Sequence, residues 1–537
     1  MTLLKIDHLS VAIHGRPVLR DLSLQVAAGE VLALTGESGS GKSMTALATM
    51  QLLPPGAVTQ GRIHLGTKEL TRLSESALCA LRGRDIGMVF QEPMTALNPV
   101  QTIGAQVAET IRLHTKTNAT EARAQAAETL TRVGLPPDRF PPERYPHELS
   151  GGQRQRVVIA IAIALKPRLL IADEPTTALD VTTQAKILDL LVALAREDNM
   201  ALILITHDLA VVAQLADHIA VMRRGKVVES APTGQLLHRM QHPYTRMLFE
   251  ASAHQVDLPR PPAPKPLLEA RNLRRAYRLP RRRLFEKPGV FEAVRDVSFT
   301  LARGERLGLV GESGCGKSTL TRALLGLEPL QGGQITLEGA PLFQDAASSR
   351  LARRRMQVVF QDPFGSFNPR HTVGRLIAEP FHLLRTPPTG AKRDQAIAKA
   401  LIDVDLTPAD AQRYIHEFSG GQRQRIAIAR ALIIEPELII FDEAVSALDV
   451  SVRAQILDLL AELCRRHTLT YLFISHDLTV VRSVTDRVLV MQAGRIVEEG
   501  ATEEVFTNPQ HSYTRTLLAA APRLPALTAT KGMSHEG

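Results

Sequence analysis

The eight residues GESGSGKS, Gly36–Ser43, decide the fold, and they return as GESGCGKS, Gly311–Ser318. Both segments fit the phosphate-loop pattern GxxxxGK[ST], in which backbone N–H groups and the start of the following helix point at an anion. The first follows the apolar run Val31–Thr35 and precedes the helical pattern Lys42–Leu53. A glycine-rich strand-to-helix turn without a ligand would look similar, but its occurrence twice in the same context favours nucleotide binding.

Other motifs repeat at a nearly constant spacing, which is 275 residues for the phosphate loops and 269–270 residues for the segments after them. The repeated segments are VFQEP around Gln91 and VFQDP around Gln361, SGGQRQR from Ser150 and from Ser419, and HPYTRML from His242 and HSYTRTL from His511. Repetition of this length indicates two copies of one domain arranged head to tail.

A proline-rich segment separates the two copies. Pro259–Pro266 (PRPPAPKP) contains five prolines in eight residues and is expected to run as a semi-rigid, polyproline-like spacer. We therefore predict a first domain at residues 1–255, a linker at 256–266, a second domain at 267–522 and a polar tail at 523–537.

Short apolar runs alternate with helical patterns inside each copy. In the first copy Leu169–Ala172 and Ala201–Ile205 read as buried strands, and Leu209–Ala216 reads as a helix. This alternation predicts an α/β fold with a mainly parallel sheet. A more helical block, including Thr120–Val133, is expected between the glutamine motif and SGGQ.

Composition narrows the class of protein. The 537 residues are 44% hydrophobic and 22% charged, with a net charge of +9. The longest apolar run, Val157–Leu165, has nine residues, whereas a membrane-spanning helix needs about 20. Three scattered cysteines (Cys79, Cys315 and Cys464) exclude a disulfide framework, a CxxC zinc site and a four-cysteine iron–sulfur cluster built from this chain alone. A cytosolic protein is expected.

The residue types around each phosphate loop suit phosphate chemistry. Lys42 and Lys317 would reach the β- and γ-phosphates, and Ser43 and Ser318 would ligate Mg²⁺.

Two acidic pairs, Asp173-Glu174 and Asp442-Glu443, each end an apolar run. The aspartates suit a Mg²⁺ contact, and the glutamates suit a base that orients the attacking water. An acidic pair stabilised by a helix dipole is the alternative for each.

Ser150 and Ser419 each open a helix as the first residue of SGGQ, where serine is a good N-cap. A plain capped helix is one interpretation, and a helix start that binds the γ-phosphate presented by another domain is the other. His207 and His476 follow apolar strands, where a lone histidine is usually structural.

In chain order, the phosphate loop, glutamine, SGGQ, Asp-Glu, ALD (Ala178–Asp180 and Ala447–Asp449) and histidine resemble the ATP-binding-cassette ATPases over nearly the whole chain. The resemblance implies two tandem P-loop NTPase nucleotide-binding domains. Each would contain a RecA-like α/β core, an antiparallel β subdomain and a helical signature subdomain. It also implies ATP and Mg²⁺ as cofactors, with each ATP held between the phosphate loop of one half and the SGGQ of the other.

The same resemblance assigns the site residues. The catalytic set is Glu174, Glu443, His207, His476, Gln91 and Gln361. The metal set is Ser43, Gln91, Asp173, Ser318, Gln361 and Asp442. The nucleotide-binding set is Gly36, Glu37, Ser38, Gly39, Ser40, Gly41, Lys42, Ser43, Met44, Gly311, Glu312, Ser313, Gly314, Cys315, Gly316, Lys317, Ser318, Thr319, Ser150, Gly151, Gly152, Gln153, Ser419, Gly420, Gly421, Gln422 and the adenine-stacking Tyr277.

Aligning Leu3–His14 with Leu267–Arg278 places Ile13 where the second half has Tyr277, with His14 beside it. Weaker adenine binding is therefore expected at the first site. Simple packing of Ile13 on the base is the alternative.

The HPYT segment resembles the C-terminal extension of peptide and nickel importer ATPases, and the fused pair is similar to the Yej-type peptide importer ATPases. This implies two transmembrane permease subunits and, indirectly, a periplasmic or surface substrate-binding protein. It also implies no nucleic acid and a peripheral position on the cytoplasmic face of the bacterial inner membrane. Some relatives carry an iron–sulfur cluster in this extension, but the three cysteines of this chain are too few for one, so none is expected. The alternative is a soluble tandem-cassette ATPase acting on ribosomes or nucleic acid, although the long charged linker and the zinc cysteines of such relatives are missing.

Two further features carry expectations. Cys315 lies beside a helix start and Lys317, so thiolate character is expected, with a tightly packed inert thiol as the alternative. The basic stretch Arg274–Arg283 is read as a solvated loop rather than a contact with anionic lipid or a partner.

Overall fold

The computed structural model describes residues 2–177, 179–279, 289–362 and 365–524. Ala178 of the first ALD motif, the part of the basic stretch from residue 280 on and the tail from residue 525 on lie outside the described residues. The chain forms two compact units. The first comprises residues 1–253 with the described residues from 522 on, and the second comprises residues 254–521.

The first unit contains ten strands and ten α-helices within its described residues. They are β1 (Thr2–Ile13), β2 (Arg16–Ala27), β3 (Val31–Thr35), α1 (Lys42–Thr49), β4 (Ala57–Leu65), β5 (Lys68–Glu69), α2 (Glu75–Leu81), β6 (Ile86–Val89), α3 (Pro93–Ala96), α4 (Ile103–His114), α5 (Ala119–Arg132), α6 (Gly151–Ile163), β7 (Leu169–Asp173), α7 (Val181–Glu197), β8 (Ala201–Ile205), α8 (Leu209–Leu215), β9 (His218–Arg223), β10 (Lys226–Pro232), α9 (Thr233–His238) and α10 (Pro243–Ser252).

The second unit repeats this order of elements with small changes. Its elements are β11 (Pro266–Arg278), β12 (Val290–Ala302), β13 (Arg306–Val310), α11 (Lys317–Leu324), β14 (Gly332–Leu337), β15 (Ala340–Pro341), α12 (Ala346–Arg355), β16 (Met356–Val359), α13 (Val373–Ile377), α14 (Gly390–Ile402), α15 (Gly420–Leu432), β17 (Leu438–Asp442), α16 (Val450–His467), β18 (Tyr471–Ile474), α17 (Leu478–Val484), β19 (Arg487–Gln492), β20 (Arg495–Ala501), α18 (Thr502–Thr507) and α19 (Ser512–Ala520).

A six-stranded sheet with the order β10-β9-β3-β8-β7-β6 forms the centre of the first unit. All its pairs are parallel except β10 with β9. Strands β3, β7 and β8 are buried at every residue, as their continuous Val, Leu, Ile and Ala content requires for a sheet covered on both faces. The carboxyl ends of β3, β6, β7 and β8 therefore lie on one edge, where α/β sheets bind ligands.

A separate antiparallel sheet has the order β2-β1-β4-β5. Buried and exposed residues alternate along most of β2, so that one face covers the core and the other meets solvent. Leu22 and Leu24 on this strand join a hydrophobic cluster with Leu32 and Leu34 of β3. The antiparallel sheet thus packs on the central sheet through a shared core.

The block between β6 and β7 is helical and packs around α6. Helix α5 begins at a capping box, in which Asn118 accepts from Glu121 N and Glu121 reaches back to Asn118 N. Ala122, Ala126 and Leu130 of α5 recur at the helical spacing of four residues and are buried in one cluster with α4 and α6. This block holds the SGGQ segment at the start of α6.

The second unit has the same topology, with a central sheet ordered β16-β17-β18-β13-β19-β20 and an antiparallel sheet ordered β12-β11-β14-β15. The predicted fold class is therefore confirmed in both halves: a P-loop α/β core, an antiparallel β subdomain and a helical subdomain. No helix in the described ranges is long and apolar enough to cross a membrane.

The predicted first helix, Lys42–Leu53, is too long. Helix α1 ends at Thr49 because Gln51 adopts a left-handed φ of 54°. The N–H of Leu52 bonds to the carbonyl of Leu47 at 2.8 Å, and that of Gln51 bonds to Ala48 at 3.0 Å. These two bonds form a Schellman motif, which stops the helix although the apolar sequence continues.

Candidate functional site

Each phosphate loop depends on glycine for its backbone path. Gly36 has φ 145°, and a Cβ there would lie 2.2 Å from the carbonyl oxygen of Met222. Gly311 has φ 153° and the same 2.2 Å clash with the carbonyl of Met491. The backbone of β9 therefore leaves no room for a side chain at Gly36, and the backbone of β19 leaves none at Gly311.

The outer side of each loop is open. Gly39 and Gly314 have φ 74° and 79°, yet no atom lies within 4 Å of the position of a Cβ at either residue. Neighbouring protein therefore does not require glycine at these two positions. Left-handed backbone facing open space leaves the loop accessible to an anion, so this observation fits the phosphates of ATP.

The loop lysines are buried beneath this backbone. Lys42 is 6% exposed, and its Nζ donates to the carbonyl oxygens of Gly36 at 2.7 Å and Glu37 at 3.0 Å. Lys317 makes the two equivalent bonds at 2.7 and 2.9 Å. Each ammonium is thus held against the loop, where its charge acts on whatever the loop binds.

Next to the loop, Ser43 Oγ donates a hydrogen bond to Asp173 Oδ1 at 3.0 Å. Burial raises the pKa of Asp173 above its ordinary value, the Ser43 bond opposes this rise, and the neighbouring Glu174 charge adds to it. Burial and the Glu443 charge likewise raise the pKa of Asp442. The surrounding protein therefore does not fully offset the cost of burying the negative charge of either aspartate.

A divalent cation suits this environment. The described residues contain no group of three or more His, Cys, Asp or Glu side chains placed to hold a metal. The first loop instead offers the Ser43 hydroxyl bonded to the buried Asp173 carboxylate, and the second has Ser318 and the partly buried Asp442 at the corresponding positions. Mg²⁺ commonly binds such a sparse oxygen set and completes its octahedron with substrate phosphates and water. The residues therefore fit Mg²⁺ bound together with ATP: Ser43 and Asp173 in the first half, Ser318 and Asp442 in the second.

Glu174 lies one residue beyond β7 in a left-handed conformation, with φ 46°. Its N–H bonds to the carbonyl of Ile205 at 2.9 Å, which fixes this strained residue to the end of β8. Three side chains surround the carboxylate: Gln91 Nε2 donates to Oε2 at 3.0 Å, Thr177 Oγ1 donates to Oε2 at 3.2 Å, and His207 Nδ1 lies 3.4 Å from Oε1. The first site thus brings Gln91, Glu174 and His207 together, while their catalytic roles stay a prediction.

Electrostatics keep this glutamate ionised. Burial by itself would raise the pKa of Glu174, but the His207 contact and the Lys42 charge outweigh it, and the pKa lies below its ordinary value. A carboxylate that stays charged can orient a water molecule and accept its proton.

The second site is similar but less connected. Glu443 also has a left-handed φ, 51°, and bonds through its N–H to Ile474 at 2.9 Å. His476 Nδ1 lies 3.4 Å from its Oε1 and is the main cause of its lowered pKa, against burial. No hydrogen bond joins Gln361 to Glu443 within the described residues, in contrast to the Gln91–Glu174 bond of the first unit.

SGGQ begins α6 and α15 with the predicted serine caps. Ser150 Oγ accepts from Gln153 N at 3.4 Å, and Gln153 Oε1 accepts from Ser150 N at 2.9 Å, which completes a capping box. Ser419 and Gln422 repeat both bonds. The capped-helix interpretation is correct, and the γ-phosphate interpretation stays a prediction.

The glycines of SGGQ separate into two kinds. A Cβ on Gly152 would lie 2.3 Å from Thr183 Cγ2, and one on Gly421 would lie 2.3 Å from Val452 Cγ1. A Cβ on Gly420 would meet nothing within 4 Å. The second glycine is therefore required by helix packing, whereas packing does not require the first.

The proposed adenine platforms differ between the halves. Tyr277 hydrogen-bonds Glu328 through its hydroxyl, and the Arg275 guanidinium lies 4.8 Å from the ring centroid. Ile13 is half-buried and packs on the cluster beneath the antiparallel sheet. Adenine stacking at Tyr277 stays a prediction.

The expected thiolate character of Cys315 is wrong. The side chain is 7% exposed, and burial raises the pKa of its thiol even though the Lys317 charge opposes the rise. The side chain points under the loop, because a Cβ on Gly311 would lie 2.8 Å from Cys315 Sγ. The alternative, a packed thiol, is correct.

The sequence analysis missed two residues next to the loops, Tyr244 and Tyr513. The hydroxyl of Tyr244 accepts from Glu37 N at 3.2 Å, and that of Tyr513 accepts from Glu312 N at 2.9 Å. The available signal was the repetition of HPYT and HSYT at the same offset as the catalytic motifs, which marks a segment needed by each copy separately.

Comparison with known proteins agrees with this arrangement. The ABC transporter family model matches residues 19–177 and 294–446, and the model of the oligopeptide/dipeptide transporter C-terminal region matches residues 228–270 and 497–535. The chain is 46% identical over 543 residues to the peptidoglycan transport ATP-binding protein YejF of Agrobacterium fabrum, which covers 99% of this chain and 98% of that protein.

A second relative is the glutathione import ATP-binding protein GsiA of Escherichia coli K12, at 47% identity over 538 residues, 94% of this chain and 86% of that protein. Among solved structures, a dimeric ATP-binding cassette bound to ADP and phosphate covers 44% of this chain at 25% identity, with a TM-score of 0.40. The family resemblance drawn from the motifs is confirmed by the matches that span both halves. The chain therefore belongs to the ABC transporter family, as two fused cassettes that bind ATP with Mg²⁺ and hydrolyse it.

Proposed function

We propose that this protein is the ATPase of an importer for peptides or peptide-containing compounds, and that both of its cassettes drive transport through separate membrane subunits. The observation that carries the proposal is the HPYT-type extension, which follows each cassette and matches the oligopeptide/dipeptide transporter region twice. The two relatives are named for peptidoglycan transport and glutathione import, and both of these compounds contain peptide.

Importer ATP-binding proteins work with membrane permeases and substrate-binding proteins. We infer two permease subunits for this chain, one facing each cassette, and a peripheral position on the cytoplasmic face of the bacterial inner membrane. A periplasmic or surface binding protein would deliver the substrate to the permeases. Substrate specificity would then reside in those partners.

At each site the roles follow from the geometry. Glu174 and Glu443 would orient the attacking water and accept its proton, because the histidine contact and the charge of the loop lysine lower the pKa of each against the effect of burial. His207 and His476 would hold these carboxylates and sense the γ-phosphate. Lys42 and Lys317 would hold the phosphates, and bound Mg²⁺ would supply neutralising charge to the β- and γ-oxygens.

Gln91 and Gln361 would report on the bound nucleotide to the permeases. The bond from Gln91 to Glu174 supports this role, since movement of the glutamine changes the surroundings of the proposed base. SGGQ of each half would contact the γ-phosphate held by the other half, so that ATP binding closes the cassettes and hydrolysis opens them.

The alternative function, a soluble tandem cassette acting on ribosomes or nucleic acid, has no supporting observation. The importer extension occurs in both halves, whereas no feature of the described surface calls for nucleic acid.

Co-purification followed by reconstitution tests the proposal. The chain, expressed with its genomic neighbours, is expected to co-purify with two membrane subunits. In proteoliposomes, a cognate binding protein loaded with an oligopeptide, glutathione or a muropeptide is expected to stimulate ATP hydrolysis, and one of these ligands is expected to accumulate. Co-purification with ribosomes or nucleic acid, and ATPase activity indifferent to any loaded binding protein, would contradict the importer function.

A further inference from the structure

The HPYT extension reaches back to the phosphate loop of its own cassette. Tyr244, in α10, lies 207 residues after Glu37, yet its hydroxyl accepts from Glu37 N at 3.2 Å and lies 3.3 Å from Glu37 Oε2, to which it donates. In the second unit, Tyr513 of α19 accepts from Glu312 N at 2.9 Å. Two copies of the extension thus make the same backbone contact at the second residue of the loop.

The segment before each tyrosine is itself fixed. The carboxylate of Glu229 accepts from Gln241 N at 2.7 Å and from His242 N at 3.1 Å. His242 then caps α10, because its Nδ1 accepts from Tyr244 N at 3.1 Å. A glutamate, the histidine and the tyrosine form the same chain of bonds in the second unit, at 2.7, 3.1 and 3.2 Å. The motif residues therefore set the position of the phenol rather than simply starting a helix.

The phenol is buried and stays protonated. Tyr244 is 3% exposed and packs in one cluster with Leu236, Leu248 and Phe249, and the Arg223 guanidinium lies 4.6 Å from its ring centroid. Burial raises the pKa of Tyr244 to about 12. At physiological pH the hydroxyl therefore keeps its proton, so it can accept from the Glu37 N–H and donate to the Glu37 carboxylate at once.

Glu37, the residue that Tyr244 contacts, is held on both sides of its backbone and carries a charge close to the phosphate site. The carbonyl of Glu37 accepts from Lys42 Nζ, so the extension holds the N–H of this residue and the loop lysine holds its carbonyl. Its side chain is an anion in a loop that binds a polyanion, and the two repel each other at short range. A hydroxyl bonded to that carboxylate keeps it from swinging towards the phosphates.

We propose that Tyr244 and Tyr513 are positioning residues of the two phosphate loops, and that each extension sets the ATP affinity of its own cassette through this hydroxyl. The inference depends on ATP binding by the loops and goes beyond the transport function. It also gives the extension a route to nucleotide binding, since anything that shifts α10 or α19 moves the second residue of the loop.

Tyr244→Phe removes only the hydroxyl. In full-length protein carrying Lys317→Ala, a fluorescent ATP analogue reports the first loop alone. We expect the dissociation constant to rise about 5- to 10-fold, as for loss of one or two hydrogen bonds, while kcat at saturating ATP stays within about two-fold. Tyr513→Phe in a Lys42→Ala background is expected to repeat this result at the second loop.

Two further variants separate positioning from general stability. Phe249→Leu is the matched control, because it shortens a fully buried side chain of the same helix and cluster without removing a bond to the loop. It is expected to lower the melting temperature and leave the dissociation constant unchanged. In a Glu37→Gln background, Tyr244→Phe is expected to weaken binding less than in the parent, because there is no carboxylate left to restrain.

The outcomes are distinct. If the parent protein, which carries Lys317→Ala but not Tyr244→Phe, does not bind the analogue, then nucleotide binding by the first loop is wrong. The proposed function and this inference would both fail with it. A parent that binds, with Tyr244→Phe binding equally well, would overturn the inference alone. Equal weakening by Phe249→Leu, or strictly additive effects of Tyr244→Phe and Glu37→Gln, would also overturn it by reducing the tyrosine to a stability element.

Discussion

The side-chain amide of Gln91 donates to Glu174 Oε2 at 3.0 Å, whereas Gln361 makes no such bond to Glu443 in the described second unit. Thr177 adds a second bond to Glu174 at 3.2 Å. The two proposed bases are therefore held differently. Glu174 is contacted by both Gln91 and His207, whereas Glu443 is contacted mainly by His476. Gln91 is proposed to report on the bound nucleotide to the permeases. Through its bond to Glu174, a movement of Gln91 would directly change the position of the first base.

Glu174→Gln and Glu443→Gln are expected to slow ATP hydrolysis by about 100-fold or more when combined, because the shape is kept and the proton acceptor is lost. Binding of ATP is expected to remain, and the double variant should accumulate with unhydrolysed ATP bound. Phosphate release and retained nucleotide measure the two effects. Glu197→Gln, on an exposed side chain of α7, serves as the control. Wild-type turnover in the double variant would reject the role of these glutamates.

The SGGQ glycines provide a second prediction. Gly420→Ala is expected to leave the melting temperature unchanged or raised, because no atom lies within 4 Å of the new Cβ and alanine favours a helix by about 0.5–1 kcal/mol over glycine. Hydrolysis should fall strongly under the proposed contact between SGGQ and a γ-phosphate, because the new Cβ would obstruct that contact.

Gly421→Ala is the matched comparison, with a Cβ only 2.3 Å from Val452 Cγ1. It is expected to cost about 1–3 kcal/mol of stability through overpacking. Calorimetry and ATPase assays on both variants distinguish the two glycines. A Gly420→Ala protein that is stable and fully active would show that the first glycine does not face the ligand.

Much of this site follows from the sequence because its motifs end at the carboxyl ends of neighbouring parallel strands. The loop follows β3, Asp173 ends β7 with Glu174 directly after it, and His207 follows β8, so pairing of these strands brings them to one edge. Local spacing alone predicts each motif, and the parallel order predicts that they meet. The serine caps of α6 and α15 are equally local and were predicted correctly.

Properties that depend on distant neighbours were not predictable. Tyr244 meets Glu37 across 207 residues, and its partner is fixed by the packing of α10 against the sheet rather than by any local pattern. The thiol of Cys315 was misjudged for the same reason. Its neighbours in sequence suggest a low pKa, but its burial in the fold decides the pKa and raises it.

Asp442→Asn is expected to stabilise the second unit in the absence of Mg²⁺ and to abolish Mg²⁺-dependent hydrolysis. Burial raises the pKa of Asp442 above the ordinary value of 3.8, so the folded state binds the proton more tightly than the unfolded state. Stability is therefore lost as the pH rises from 3.8 through the folded pKa, and the ionised carboxylate carries the full cost at neutral pH. Asparagine cannot ionise, so the variant is expected to unfold at a higher temperature than the unsubstituted protein at neutral pH without Mg²⁺.

Calorimetry in EDTA from pH 4 to pH 8 measures this effect. Asp394→Asn, on the exposed face of α14, is the control and should change little. Asp173→Asn should stabilise less than Asp442→Asn, because the Ser43 hydroxyl already offsets part of the cost of burying that carboxylate. If Asp442→Asn destabilised the protein without metal, the ionised Asp442 carboxylate would not be a cost to the folded state. The inference that this carboxylate favours a bound cation would then be wrong.

The adenine platforms give the last prediction, that the first site binds ATP more weakly than the second and discriminates less between ATP and GTP. Tyr277 presents an aromatic ring whose hydroxyl bonds to Glu328, whereas Ile13 is half-buried and packs on the cluster beneath the antiparallel sheet. Stacking of a base on an aromatic ring contributes about 1–3 kcal/mol in single-strand binders, so Tyr277→Ala should weaken the second site roughly 5- to 150-fold. Tyr277→Phe keeps the ring, loses the Glu328 bond and should bind nearly as well as the parent.

At the first site, Ile13→Ala should weaken ATP binding less than Tyr277→Ala does at the second, and Ile13→Tyr should tighten binding. Titration of ATP and GTP analogues, with Lys42→Ala or Lys317→Ala isolating each site, measures all four variants. Equal affinities at the two sites, unchanged by Ile13→Tyr, would mean that burial against Ile13 replaces stacking.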